Sequence, residues 1–356
     1  MGIVVTFPSN PGRQSLDLAS TIASNQRRMF RTSLLYLSRQ QGVFNFIRNV
    51  GFARKLASRF VAGETITTAL DAVEALNAKG ISASLDLLGE SVANEGEARE
   101  TGRQYLDILD RIEQRKLNAN VSVKLTALGQ DISDELGLQV VRSVLDRAKR
   151  YNSFVRLDME SSAYTDRTLD TFEQKLYPDF RENVGVVLQS SLRRTLDDVA
   201  RANRLQCRVR ICKGAYLEPP AVAFPDKADV DKNYVTAMHR LMESGNYPGI
   251  ATHDEVIIQE AKRFAKEKNI SPDRFEFQML YGVRRDLQEQ LVSEGYRMRV
   301  YVPFGTQWYP YLMRRLAERP ANLAFMTGNI VKEMIGGSSS KNAANGSRNG
   351  PRTGAH

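Results

Sequence analysis

From residue 15 to residue 76 the apolar positions recur at three-and-four spacing, through Leu34, Leu35, Leu37, Phe44, Phe46 and Ile47, which predicts helix uninterrupted by any strand. At Gly80 the pattern changes. Short apolar runs follow at 81–87, 121–125, 154–158, 184–189, 208–211, 249–253, 275–280 and 298–302. Helical stretches lie between them, for example 97–115, 133–151, 195–203 and 255–268. The repeat averages about 30 residues, the size of a βαβ unit. Eight strands alternating with helices over about 250 residues predict an α/β fold, a (β/α)8 barrel of the TIM type with an N-terminal helical extension. A doubly wound open sheet is the competing architecture. It would carry a Gly-rich dinucleotide turn after its first strand, and neither G-x-G-x-x-G nor G-x-x-x-x-G-K occurs. Three segments result: a helical arm packed on the barrel (1–76), the barrel (77–335) and a polar, Gly- and Asn-rich tail (336–356) that buries too little to fold.

An apolar content of 42% and a charged content of 26% are those of a soluble globular protein. No run of about 18 uncharged apolar residues is present, so a membrane span is not expected. The net charge of +9 includes Lys341, Arg348 and Arg352 in the acid-free tail, which leaves +6 on the remainder. Without an aromatic-interleaved basic motif this charge does not predict nucleic-acid binding, and an anionic lipid surface or an acidic metabolite suits it as well. Cys207 and Cys212, both in a predicted strand region, indicate a reducing compartment and no disulfide. Two cysteines and three histidines (His239, His253 and His356) argue against a zinc site, and no G-x-S-x-G elbow marks a hydrolase. Met1-Gly2 with Thr6 and the Arg27-Arg28 pair match targeting patterns only by coincidence, because Arg31 and Arg39 interrupt the apolar stretch that should follow. The expected location is the cytoplasm.

Reactive residues of such barrels sit at the C-terminal ends of the strands. Those ends read Asp86, Lys124, Asp158, Gln189, Arg210 with Lys213, His253, Gln278 and Tyr301. A polar or ionisable residue at every end predicts a ligand-binding mouth. After the last strand a helix carries Arg314-Arg315, which grips an anion from two directions because adjacent helical residues point about 100° apart. With Lys124 in the same space, the three cations call for an anion such as a carboxylate.

The segment Arg210-Ile211-Cys212-Lys213-Gly214-Ala215-Tyr216 resembles the Arg-Leu-x-Lys-Gly-Ala-Tyr stretch of a known family, the proline dehydrogenases. So does Tyr301-Val302-Pro303-Phe304-Gly305-Thr306 running into Arg314-Arg315-Leu316-Ala317-Glu318 resemble a stretch of that family. Phe60-Val61-Ala62-Gly63-Glu64-Thr65, Leu85-Asp86, Leu88-Gly89-Glu90, Val123-Lys124-Leu125 and Leu157-Asp158-Met159-Glu160 match as well. Ala251-Thr252-His253-Asp254 and Phe275-Glu276-Phe277-Gln278-Met279-Leu280-Tyr281-Gly282 continue the same order. The length resembles the monofunctional bacterial type.

The resemblance implies FAD held across the barrel mouth without a dinucleotide-binding fold, in contact with Met159, Gln189, Arg210, Lys213, Gly214, Ala215, Thr252 and His253. Arg210 would stabilise negative charge on the reduced flavin, and Lys213 would suit the pyrophosphate. Lys124, Arg314 and Arg315 would hold the carboxylate of L-proline, with Tyr216, Leu280 and Tyr301 as walls around its ring. Asp158 would orient the cations and tune the flavin site, so the catalytic roles fall to Asp158 and Arg210. The implied reaction is hydride transfer from the ring carbon beside nitrogen, giving 1-pyrroline-5-carboxylate. A quinone would take the electrons, and a pyrroline-5-carboxylate dehydrogenase would follow. Arg27, Arg28, Arg31, Arg39 and Arg48 offer a peripheral membrane surface, or else simply the basic outer face of packed helices. Two other activities stay open at this point, oxidation of hydroxyproline and a Schiff-base lyase or aldolase using Lys124.

Overall fold

The computed structural model describes residues 57–89 and 92–318. The chain divides into two units, Ile47–Trp308 and a second made of Met1–Phe46 with Tyr309–His356. The first contains a closed barrel of eight parallel strands in sequential order. The strands are β1 (Ser82–Leu87), β2 (Ala119–Val123), β3 (Val155–Leu157), β4 (Val184–Gln189), β5 (Arg208–Cys212), β6 (Asn246–Ala251), β7 (Glu276–Leu280) and β8 (Met298–Phe304). Pairing of β8 with β1, through Ala83 with Val300 and Leu85 with Val302, closes the ring. The targeting patterns, the basic N-terminal arginines and the polar tail lie outside the described residues, while the expected arm boundary at 76/77 falls among them. The described C-terminal part of the arm is helix α1 (Ile66–Asn77), which buries Ala69, Leu70 and Val73.

Within the barrel unit the described residues form seven further long helices, α2 (Glu95–Gln114), α3 (Asp134–Arg150), α4 (Ser162–Thr171), α5 (Thr195–Leu205), α6 (Lys227–Ser244), α7 (Glu255–Glu267) and α8 (Arg285–Ser293). Their starts are written locally. Asn94 accepts from the Glu97 amide while Glu97 accepts from the Ala93 amide, a reciprocal N-terminal cap for α2. Ser133 and Asp254 cap α3 and α7 in the same sense. No helix among the described residues is long and apolar enough to cross a membrane.

The hydrophobic core lies between the strands and the helices. Leu85, Val123, Leu157, Val186, Ile211, Ile250, Phe277 and Val300 are fully or almost fully buried beside helical residues such as Leu109, Val144, Val199 and Ile258. The alternate strand positions face the barrel axis, because a strand's side chains change face at every residue. That inner face is polar. Arg210 of β5 reaches Ser122 of β2 and Gln278 of β7 with its side chain, a span possible only through the interior. Barrels of this kind are ordinarily filled by branched apolar side chains. Here ion pairs and hydrogen bonds fill much of the space instead.

Candidate active site

Each strand delivers its functional side chain by the same route: a buried outer residue fixes the strand against a helix, and the next residue inward is thereby aimed at the axis. On β3 and just past it, Arg156, Leu157 and Asp158 alternate in this way; on β5, Arg208, Val209 and Arg210; on β7, Glu276, Phe277 and Gln278; on β8, Arg299, Val300 and Tyr301.

Four of the expected residues meet at the mouth. Arg210 Nη1 donates to Asp158 Oδ1 at 2.8 Å, and the Tyr301 hydroxyl donates to Asp158 Oδ2 at 2.7 Å. The Arg210 guanidinium also lies over the Tyr301 ring, 5.2 Å from its centre. Lys124 Nζ donates to Asp86 Oδ1 at 2.8 Å. The expectation that Asp158 orients cations therefore fits its contact with Arg210. The carboxylate bonded to Lys124 is Asp86, a strand-end residue to which no role had been given. Lys124 is consequently not a bare cation awaiting a ligand.

Burial alone would lower the Lys124 ammonium, but Asp86 and Asp158 beside it outweigh that and hold it above the ordinary lysine value. Burial raises the Asp86 carboxyl, with Lys124 opposing and Asp158 reinforcing the shift. Burial, then the Asp158 and Asp86 carboxylates, raise the Tyr301 phenol well above its usual value. The site thus keeps a protonated lysine and a protonated tyrosine around Asp158 at neutral pH.

A second group of expected residues lies at the ends of β4, β5 and β6. Gln189 Nε2 donates to the carbonyls of Met159 and Glu160, both at 3.1 Å, which fixes the amide so that Oε1 is the free acceptor. That Oε1 is buried and has no hydrogen-bond partner among the described residues. Gly214 has φ +104°, and a Cβ there would stand 2.4 Å from Ser191 Oγ, so its backbone can be approached as closely as only glycine allows. Thr252 Oγ1 accepts from the Asp254 amide at 3.1 Å. His253 Nε2 accepts from the Leu280 amide at 2.9 Å, so that nitrogen carries no proton. Lys213 is already paired, with Asp231 at 2.6 Å and Asp254 at 2.8 Å. Ala215 and Tyr216 follow on the loop into α6, and both are half-buried.

A buried acceptor without a partner and a glycine cradle fit an isoalloxazine whose imide N–H needs an acceptor and whose edge passes close to backbone. Arg314 and Arg315 lie on α9 (Trp308–Glu318), which leaves the barrel unit after its first residue. Arg315 stacks on Tyr311, 5.2 Å from the ring centre.

Beneath the mouth the structure adds Arg299, Glu276 and Arg156, which reading the strand ends had missed, and it sets Gln278, expected at the mouth, level with Arg299. Arg299 Nε donates to Glu276 Oε1 at 2.7 Å, Gln278 Nε2 donates to the same oxygen at 2.6 Å, and Arg156 Nη1 donates to the Val186 carbonyl at 3.0 Å. Burial and the nearby Arg210 push Arg156 down to about 9, with Arg299 adding to the effect and Glu276 opposing it. Among Lys124, Arg156, Arg210, Arg299, Asp86, Asp158 and Glu276, cations outnumber carboxylates by one. The signal for this layer was present as a polar residue two positions before the strand ends Asp158, Gln278 and Tyr301.

Comparison with known proteins agrees with this architecture. A family profile described as "Proline dehydrogenase" matches residues 69–328. The chain is 46% identical over 280 residues to "Proline dehydrogenase" of Deinococcus radiodurans, covering 78% of this chain and 90% of that protein. It is 42% identical over 305 residues to "Proline dehydrogenase 1" of Bacillus subtilis strain 168, covering 86% of this chain and all (100%) of that one. Among solved structures it resembles proline utilization A (PutA) from Bdellovibrio bacteriovorus inactivated by N-propargylglycine, with a TM-score of 0.71 and 25% identity over 83% of this chain and 37% of that longer one. The match over most of its length to the profile and to these two bacterial proteins shows that the chain belongs to the proline dehydrogenase family, with the monofunctional bacterial members.

Proposed function

We propose that this protein oxidises L-proline to 1-pyrroline-5-carboxylate with FAD as the hydride acceptor, the opening step of proline catabolism. Proline dehydrogenase activity is what family membership carries, and the chain spans nearly all of its bacterial relatives. The single observation that supports the cofactor is the buried Gln189 Oε1 without a partner, beside the Gly214 turn. Gln189, Met159, Gly214, Ala215, Thr252 and His253 would line the flavin, with Lys213 exchanging one of its aspartates for a phosphate oxygen. FAD, when bound, supplies the two-electron chemistry.

The chain's own residues do the rest. Lys124, kept charged by Asp86, offers its remaining N–H bonds to the proline carboxylate, and Arg314 and Arg315 complete the clamp. The excess of one cation among these buried groups of the barrel interior suits a substrate carboxylate. Tyr301, Tyr216 and Leu280 enclose the ring and exclude water, and Asp158 holds Arg210 and Tyr301 in place. With no unpaired base provided by this network, the amine proton leaves to water before the hydride moves. A quinone then takes the electrons, and a peripheral contact of the basic N-terminal arm with the inner face of the membrane would bring it near. The product would pass to a pyrroline-5-carboxylate dehydrogenase.

A Schiff-base lyase is disfavoured, since an ammonium paired with a buried carboxylate is a poor nucleophile. The deciding experiment is the absorption spectrum of the purified protein without air. Flavin bands near about 380 and 450 nm that bleach with L-proline carry the proposal. Flavin that bleaches only with hydroxyproline changes the substrate, and a colourless protein that takes up no FAD overturns the reading. Time-dependent inactivation by N-propargylglycine, which inactivates the Bdellovibrio relative, is a second check.

A further inference from the structure

We infer that Gln278 is a positioning residue for Arg210, and that the Glu276–Gln278 pair on β7 fixes the direction in which the guanidinium faces its ligand. The inference rests on the reading of Arg210 as a flavin-facing group.

The three nitrogens of the Arg210 guanidinium have partners from three strands. Nε donates to Gln278 Oε1 at 2.5 Å, Nη1 to Asp158 Oδ1 at 2.8 Å and Nη2 to Ser122 Oγ at 3.2 Å. Asp158 and Ser122 hold one edge of the plane, and Gln278 alone holds the Nε side. An amide is ordinarily free to present either end. Here the choice is forced, because Glu276 can only accept and Arg210 can only donate. Gln278 Nε2 therefore turns to Glu276 at 2.6 Å and Oε1 turns to Arg210. Glu276 is itself held by Arg299 Nε at 2.7 Å, and Arg299 Nη1 is tied to the Ala83 carbonyl at 2.8 Å.

Packing holds the same orientation. A Cβ on Gly249 would stand 2.4 Å from Gln278 Nε2, so β6 has no side chain there and the amide lies against its backbone. Gln278 and Glu276 are both 4% exposed. Neither is on the mouth layer formed by Lys124, Asp158 and Tyr301, so they act on the ligand only through Arg210. The β7 pair converts a fixed anion into a fixed acceptor at the distance Arg210 needs.

The experiment compares Gln278→Met and Gln278→Glu in the flavin-loaded enzyme. Methionine keeps the length and removes the acceptor. Glutamate keeps the acceptor and places a second carboxylate beside Glu276. If Gln278 positions Arg210, kcat for proline falls about tenfold in Gln278→Met with KM within about twofold, and the flavin reduction potential falls. Gln278→Glu then lies closer to wild type in kcat than Gln278→Met does. A merely structural role predicts the reverse order, because a buried second carboxylate disturbs packing more than an apolar isostere.

Wild-type kcat and potential in Gln278→Met, or the reverse order of the two variants, overturns the inference while leaving the cofactor reading intact. A wild-type protein without flavin fails that reading first and the inference with it. Should Gln278→Met not fold, Gln278→Asn, whose shorter amide cannot span Glu276 and Arg210, replaces it. Unchanged kcat and potential in that variant are equally fatal.

Discussion

The Tyr301 hydroxyl donates to Asp158 Oδ2 at 2.7 Å, from β8 to the end of β3, with β1 and β2 between them in the barrel. The bond places one carboxylate under the control of two strands and leaves its other oxygen for Arg210. Tyr301→Phe removes the donor while keeping the ring. The expected cost is about 1 kcal/mol of stability, read from urea unfolding. Burial and Asp158 already keep the phenol protonated through neutral and mildly alkaline pH. The pH profile of kcat should therefore keep its shape in Tyr301→Phe; loss of an ionisation below about pH 10 would show that the tyrosine titrates in the working range.

Lys124 and Asp86 are buried at 11% and 2% side-chain exposure, 2.8 Å apart. Removing the lysine leaves the buried Asp86 carboxylate without its hydrogen-bonded cation. Lys124→Met should destabilise by about 3–5 kcal/mol, and adding Asp86→Asn should recover part of that loss. Additive losses in the double variant would mean that the two side chains are not coupled. If Lys124 binds the proline carboxylate as proposed, affinity for proline should remain low in the double variant.

The barrel was legible because each strand announces itself by a short apolar run that ends in a polar residue. The run at 184–189 matches β4 throughout, since all its residues are buried. β2 was read two residues too late, for Lys124 and Leu125 already turn into the helical turn Thr126–Leu128. β6 begins three residues earlier than read, at Asn246-Tyr247-Pro248, a composition that looks like a loop. Its irregular register with β5, between Arg208 and Arg210, accommodates that stretch.

Partners were harder to read than positions. Asp158 and Lys124 are close in the list of strand ends, yet Asp158 bonds Arg210 from β5 and Lys124 bonds Asp86 from β1. Which acid meets which base depends on rotamers and on the stagger of the closed ring, and neither is written in spacing. The polar layer of Arg156, Glu276 and Arg299 was visible as alternation but ran against the expectation of an apolar barrel interior.

Arg314 and Arg315 stand on α9, and each is read as one arm of the carboxylate clamp. A charge-assisted hydrogen bond is worth about 1.5–3 kcal/mol, so Arg314→Met and Arg315→Met should each raise the proline KM by at least about tenfold. Flavin content should stay at the wild-type level, because neither is assigned to the cofactor. A normal KM in both variants removes the clamp, and lost flavin in either one moves that arginine to the cofactor.

Gly249 is a position where even a methyl group would meet the Gln278 amide directly. A methyl group there would lie 2.4 Å from Gln278 Nε2 and 2.9 Å from its Cδ. Gly249→Ala should cost about 1–3 kcal/mol through overpacking, measured as a lower urea midpoint at unchanged slope. A stability equal to wild type would show that the Gln278 amide has room to move.

Glu276 gives the barrel a defined sensitivity to acid. Burial would raise its carboxyl, but Arg299 and the hydrogen bonds from Arg299 and Gln278 win and hold it below the ordinary glutamate value. A carboxylate with a lowered folded value contributes stability that is fully present above its unfolded value, about 4.3, and is lost as pH falls through the folded value. Glu276→Gln lacks that ionisation and leaves Arg299 buried without its counter-charge. The variant should be less stable than wild type by about 3 kcal/mol at pH 7, the lower end for a broken buried pair. Urea unfolding of both proteins at neutral pH and again at about pH 3.5 should show the gap narrowing, because below about 4.3 the unfolded glutamate binds a proton more readily than Glu276 does beside Arg299. A gap that stays constant over that range would mean that Glu276 binds its proton equally well folded and unfolded, and a gap that widens as pH falls would mean that burial raises its carboxyl instead.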